Sequence, residues 1–165
     1  MHGKCFENFR GENMILISHR GNLLGPDTNT ENNPVQVNKA LDLGFEVEID
    51  VWNINGDWFL GHDNPQYPIE PIFLRNTALW CHAKNLEALD LMTRMGVHCF
   101  WHQTDDYTLT SSGFLWTYPG KPYTSRSIAV KPEKITDNVK LCYGVCSDWV
   151  LKFREELQND QMRIV

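Results

Sequence analysis

The chain has 165 residues, 42% of them apolar and 22% charged, with a net charge of -6, a balance that fits one compact domain with a core of its own. A pI near 5.4 and the lack of any Lys/Arg cluster exclude a large nucleic-acid footprint, which requires a basic face. No apolar window approaches the roughly 18 residues of a membrane span, and the opening "MHGKCFENFRGEN" is too polar for a signal peptide, so a cytoplasmic location is expected.

Residues 1–13 read as an N-terminal extension, and a single domain is expected over 14–165. Met14 to Ile17 is an uninterrupted apolar run, the pattern of a strand covered on both faces, and His19 sits at its carboxyl end. After a polar, turn-rich connection, "NNPVQVNKALDLG" predicts a helix with Asn33 as cap, Pro34 in the first turn and Gly44 after the last. "FEVEIDVW" alternates, with Phe45, Val47, Ile49 and Val51 on one face and Glu46, Glu48, Asp50 and Trp52 on the other. The Asn-Gly of "NINGDWFLGHD" predicts a hairpin whose second strand ends near His62.

"ALWCHAK" reads as the next strand, and "NLEALDLMTRMG" as a helix capped by Asn85 and stopped by Gly96. "HCFWHQ", "FLWTYP", "SIAV" and "LCYGVC" are further short strands, and "SDWVLKFREELQND" is a closing helix capped by Ser147. The five cysteines have no disulfide-framework spacing and are expected to be reduced and buried. Repeated strand-helix order predicts an α/β fold: a compact, trimmed TIM-like (β/α) barrel of seven or eight mostly parallel strands. A full barrel needs about 250 residues, so several outer helices must be missing or shortened. Strand faces left uncovered predict a homodimer.

In such barrels chemistry sits at the carboxyl ends of the strands. Glu48 and Asp50 share one face of a strand, roughly 7 Å apart at the backbone, and carboxylates packed so closely call for a cation. His19 and His62 both end strands and suit acid-base chemistry near neutral pH. Arg20 offers a forked donor for a phosphate or carboxylate, and Gly21 lets the chain turn. His102 shares a strand face with His98 and Phe100 and can contact substrate, while Trp116 and Tyr118 are aromatic candidates for a substrate group.

"SHRG" (Ser18 to Gly21), "EID" (Glu48 to Asp50) and "GHD" (Gly61 to Asp63) occur in the order and approximate spacing of the glycerophosphodiester phosphodiesterases, which the chain resembles. "TENN" is similar to that family's Pro-Glu-Asn-Thr segment at Glu31 and Asn32, and "GVCSDW" resembles its closing strand. The resemblance implies a phosphodiesterase with lipid-derived glycerophosphodiester substrates and catalytic His19 and His62. It also implies one divalent cation (Mg2+, Ca2+ or Mn2+) on Glu48, Asp50 and the residue at position 82, and phosphate or substrate contacts from Arg20, Lys84 and Glu31. The family's Glu-x-Lys is here His82-Ala83-Lys84. A histidine ligand makes the site less negative and moves its preference from Ca2+ toward Mn2+ or Zn2+. Two other functions stay open: a catalytically inactive barrel that binds a phosphorylated ligand, and a phospholipase-like enzyme of the same superfamily.

Overall fold

The computed structural model describes residues 14–162; the expected N-terminal extension, residues 1–13, lies outside them. Ten strands form one sheet: β1 (Ile15–His19), β2 (Glu46–Ile54), β3 (Asp57–Leu60), β4 (Tyr67–Ile69), β5 (Leu79–Ala83), β6 (Cys99–Phe100), β7 (Tyr107–Leu109), β8 (Leu115–Thr117), β9 (Ser127–Val130) and β10 (Gly144–Ser147). Three α-helices accompany them: α1 (Pro34–Asp42), α2 (Leu86–Arg94) and α3 (Val150–Met162). The sheet runs β4-β3-β2-β1-β10-β9-β8-β7, with β5 on β2 and β6 on β5. First and last strands are therefore neighbours, joined in parallel from Ile15 beside Gly144 to Ser18 beside Ser147.

This arrangement corrects the expected barrel. The sheet is a curled half-barrel of mixed direction: β2, β3 and β4 run antiparallel in turn, as do β7 and β8. Among the described residues no ladder joins β6 to β8, and only three α-helices are present. The cause is local. The segment after β6 holds Asp105 and Asp106, that after β8 holds Pro119, Gly120 and Pro122, and that after β9 holds Pro132 in its second position. Such turn-formers leave no helical stripe to pack outside the sheet.

Strand β2 organises the molecule because one of its edges serves two partners. Glu46 to Glu48 pair in parallel with β1, and on the same edge Val51 to Ile54 pair with β3 through the Asn55-Gly56 turn, while Val47 to Val51 pair in parallel with β5 on the other edge. Both turn residues have positive φ, 54° and 96°, as a tight two-residue hairpin demands. Val47, Ile49 and Val51 are fully buried against Val37 and Ala40 of α1 and Ala88 and Met92 of α2. The predicted caps form: Asn33 Oδ1 accepts from the Val35 N–H at 2.9 Å and Asn85 Oδ1 from Ala88 N–H at 3.2 Å. The closing helix starts at Val150, later than expected, because Ser147 belongs to β10 and its Oγ accepts from the Trp149 N–H.

The opposite, concave face is filled by Ile17, Trp80, Phe100, Trp116, Ile128, Val130 and Cys146. Trp116 stacks at 4.7 Å on Phe100 and 5.8 Å on Trp80, so aromatic packing bridges the β6–β8 opening that lacks a ladder. Cys81, Cys99, Cys142 and Cys146 are free and buried, as expected, although Cys142 precedes β10 rather than lying within it.

A cavity of about 510 Å³ opens at the amino ends of the parallel strands, lined by residues including Glu46, Arg75, Trp80, His98 and Tyr143. His98 stacks on Trp80 at 4.3 Å, and its Nε2 lies 3.0 Å from Thr110 Oγ1. Burial pushes the His98 pKa down from the ordinary 6.5 to about 4. Protonation therefore favours the unfolded chain, and the stability this neutral ring contributes is complete above pH 6.5 and lost as pH falls through 4. His98→Gln should flatten that decline in urea titrations between these pH values; an unchanged pH slope would show that His98 is not responsible.

Candidate metal centre and active site

The carboxyl end of the sheet gathers charged side chains by strand register. His19 pairs with Glu48 across β1 and β2, and Asp50 with His82 across β2 and β5. Neighbouring strands lie about 4.8 Å apart, so residues in register place their side chains together. Glu48 and Asp50 are 3% and 0% exposed; the acidic face of β2 is not a solvated edge. It points into the concave side of the sheet.

Asp50 is bound on both oxygens. Oδ1 lies 3.0 Å from His82 Nδ1 and 3.4 Å from Lys84 Nζ, while Oδ2 accepts from Asn32 Nδ2 at 2.9 Å and faces Arg20 Nε at 3.1 Å. Asn32 also accepts the Asp50 backbone N–H at 2.8 Å, so one amide fixes both strand and side chain. Burial alone would raise the Asp50 pKa, but the hydrogen bond and charge of His82, with Arg20 and Lys84, hold it below the ordinary carboxylate value. Glu48 has no comparable set. Its Oε2 is buried without a hydrogen-bond partner, and burial, then the charge of Asp50, pushes its pKa well up.

His82 supplies the test of whether these residues suit a cation. Its Nε2 lies 3.1 Å from the carbonyl oxygen of His102, which can only accept, so Nε2 carries the proton. Nδ1 faces Asp50 Oδ1 at 3.0 Å and Glu48 Oε1 at 3.9 Å, where it can donate to Asp50 or, with that proton displaced, present its lone pair to a cation. Two buried carboxylates and an imidazole nitrogen with ligand atoms all within 4.8 Å of one another, and one carboxylate oxygen lacking a partner, fit a metal ion. Glu48, Asp50 and His82 can hold it. An imidazole among the ligands suits Mn2+ or Zn2+ better than Mg2+ or Ca2+, which prefer oxygen shells.

His19 stands beside this cluster. Its Nδ1 donates to Asp148 Oδ1 at 2.6 Å, and Nε2 is 3.9 Å from Glu48 Oε2. The donor bond leaves Nε2 as the free basic nitrogen, directed at the metal ligands. Burial lowers the His19 pKa more than the Asp148 hydrogen bond raises it, so the ring is held neutral. Asp148 also accepts from Asn22 Nδ2 at 2.8 Å. Against the upward push of burial, His19, Asn22 and Lys131 hold its pKa at about 2.

No protein-family model, curated protein or solved structure matches the chain. The site therefore has to be judged on its own geometry.

The structure brings together His19, Arg20, Glu31, Glu48, Asp50, His82 and Lys84. Glu31 acts through Arg20: its Oε2 accepts from Arg20 Nη1 at 3.0 Å, and its Oε1 from Asn22 Nδ2 at 3.0 Å. It is an anchor for the guanidinium rather than a surface for an anion. His62 stands apart from the carboxylates of the cluster. Its loop is tied to β2 by the Gly61 N–H to Asp50 C=O bond at 3.1 Å, but its half-exposed ring donates to Asp63 at 2.7 Å. His102 touches the site by its backbone and by its ring, which packs 5.6 Å from the His82 ring and 4.6 Å from Tyr118. Trp116, expected to contact substrate, is 4% exposed and belongs to the core.

Asn22, Asn32, Lys131 and Asp148 join the site without having been assigned to it from sequence. "GVCSDW" contains Asp148, and a polar residue just past a predicted strand was the available signal. Its meaning required knowing that β10 lies beside β1.

Metal binding has a direct readout. Saturating Mn2+ at about 100 times its dissociation constant should add roughly 2.7 kcal/mol to folding stability, or about 5–10 °C in Tm for a chain of this size. Asp50→Asn and Glu48→Gln should each remove most of that shift. No shift in the wild type with Mg2+, Mn2+, Zn2+ or Ca2+ would rule the site out.

Proposed function

We propose that this protein is a metal-dependent phosphodiesterase acting on a glycerophosphodiester-like substrate, a short and divergent relative of the family its motifs resemble. The observation that carries this reading is the join of two devices. A basic His19 nitrogen, fixed by Asp148, faces a carboxylate-imidazole cluster suited to a divalent cation.

A cation on Glu48, Asp50 and His82 would neutralise a phosphate oxygen and lower the pKa of a neighbouring substrate hydroxyl. His19 Nε2 takes that hydroxyl's proton as its oxygen bonds to phosphorus. The bond from phosphorus to the departing alkoxide breaks, and His62 donates a proton to that oxygen. The chain thereby releases an alcohol and a cyclic phosphate. His62 reaches this role from its loop after β3, with Asp63 orienting the ring as Asp148 orients His19. Arg20 and Lys84, both already paired with Asp50, set the charge around the metal ligands.

The separation of His62 from the cluster favours one competing function, a non-catalytic domain that binds a phosphorylated ligand. Turnover separates the two. Cleavage of a glycerophosphodiester should require added metal, stop with EDTA, and fall about 100-fold or more in His19→Ala and His62→Ala, the usual range for losing a general acid or base. Asp148→Asn should lower kcat with little change in KM, since it disturbs the tautomer of His19 rather than substrate binding. Binding of a phosphate ester with no turnover under any of the four metals would favour the binding domain.

A further inference from the structure

Three cations stand at the carboxyl end of the sheet, and two are committed. Arg20 lies between Asp50 and Glu31, and Lys84 reaches Asp50; both side chains are 17% exposed. Lys131 differs: its side chain is 47% exposed, and its ion-pair contact is one carboxylate oxygen, Asp148 Oδ2, at 3.4 Å.

The backbone at Lys131 is held in a conformation its sequence disfavours. Its φ is 47°, in the left-handed region, which side chains other than those of Gly, Asn and Asp seldom enter. It also precedes Pro132, and a residue before proline prefers an extended backbone. Of the other non-glycine residues with positive φ among the described residues, Asn55 makes the hairpin turn, and Arg20 and Asn32 hold Asp50. At Lys131 the conformation is fixed by its N–H, which donates to the Cys146 carbonyl at 2.7 Å. That bond turns the lysine off the end of β9 toward Asp148.

Lys131 contacts the metal cluster only by way of Asp148 and His19. Strands β1 and β10 lie between β9 and β2, which is roughly 14 Å along the sheet at about 4.8 Å per strand. A phosphoryl group seated at Glu48, Asp50 and His82 therefore meets His19 before Lys131. We propose that Lys131 is a specificity residue for a second anionic group, of the carboxylate or phosphate type, carried by the substrate beside its phosphodiester. The proposal rests on the phosphodiesterase function above. The preferred substrate is then a diester with an acidic alcohol, and the ammonium bonds that acid while retaining Asp148 as its inner partner.

Two non-hydrolysable probes test this by calorimetry on the Mn2+-loaded protein: 6-phosphonohexanoate, whose distal carboxylate can reach past His19, and hexylphosphonate, without one. The wild type should bind the first about tenfold more tightly, the scale of one charge-assisted contact. Lys131→Met and Lys131→Gln, shown by circular dichroism to be folded, should bring the ratio of the two affinities near one, and Lys131→Arg should preserve it. Equal affinities in the wild type would overturn the proposal, as would a ratio that survives in Lys131→Met. A lysine that served only as counter-ion to Asp148 would weaken both ligands by the same factor and leave the ratio intact. If the wild type binds neither phosphonate, the phosphodiesterase reading itself falls, and this proposal with it.

Discussion

A carboxylate with no exposed surface has to be compensated on both of its oxygens, and Asp50 sets that requirement for the whole carboxyl end of the sheet. Arg20, Asn32, His82 and Lys84 answer it from the ends of β1 and β5 and from the loop before α1. Removing a partner from a buried charge costs several kcal/mol, more than the intact pair contributes. The β1–α1 connection therefore cannot drift without stranding Asp50. Two of the four partners, Arg20 and Asn32, adopt left-handed backbone conformations. Strain of this kind persists only where surrounding bonds fix it. Here the Arg20 N–H to Glu48 C=O bond and the Asn32 N–H to Arg20 C=O bond, both 2.9 Å, do so.

With Asp50 compensated by protein, Glu48 is left over. It lies two residues back on the same strand face, fully desolvated, repelled by Asp50 and without a hydrogen bond on Oε2. A chain selecting only for stability would place an amide or an apolar side chain there, because an unpartnered buried acid has no folding benefit. The retained acid fits a cluster able to hold a cation better than it fits a purely structural ion-pair network. The His82 ring supports that fit, since the His102 carbonyl holds Nε2 and leaves Nδ1 facing the carboxylates. Replacing the expected glutamate with histidine also removes one negative charge from a cluster that already holds two acids. That makes the empty cluster easier to fold and leaves less charge to attract a weakly bound cation.

Much of the local structure was legible because it follows from short-range chemistry. Asn33 and Asn85 cap their helices, Asn55-Gly56 makes the hairpin, and the alternation of β2 correctly separates Val47, Ile49 and Val51 from Glu48 and Asp50. The metal cluster was legible too, since register alone carries Asp50 to His82 once β2 and β5 are paired. The global curvature was not. Strand-helix order suggested a closed parallel barrel, but β3, β4 and β7 are short antiparallel additions whose direction depends on which edge lies free. Asp148 was hidden for the same reason: nothing local reveals that residues 129 positions apart share one hydrogen bond. Trp116 illustrates the opposite error, an aromatic near a strand end that packs inward to fill the opening beside β6.

An open sheet places different demands on its two ends. At the amino end, Trp80, His98 and Phe114 pack against one another, with Glu46 accepting from the Trp80 indole N–H, so aromatic contact replaces the closing ladder. At the carboxyl end such packing would bury the site. Closure there is instead electrostatic: His19 and Asp148 link β1 to β10, Lys131 links β9 to Asp148, and Asp50 with His82 links β2 to β5. Charged links hold neighbouring strand ends in place while leaving space between them, which apolar packing cannot do at interior density. The arrangement has a consequence for ligand binding. Under the proposed function, an anion entering the site would compete for the same lysine and imidazole groups that join the strand ends. Its binding energy would then be partly spent on exchanging ion pairs at Arg20 and Lys84, whereas the half-exposed Lys131 could add a contact while keeping Asp148.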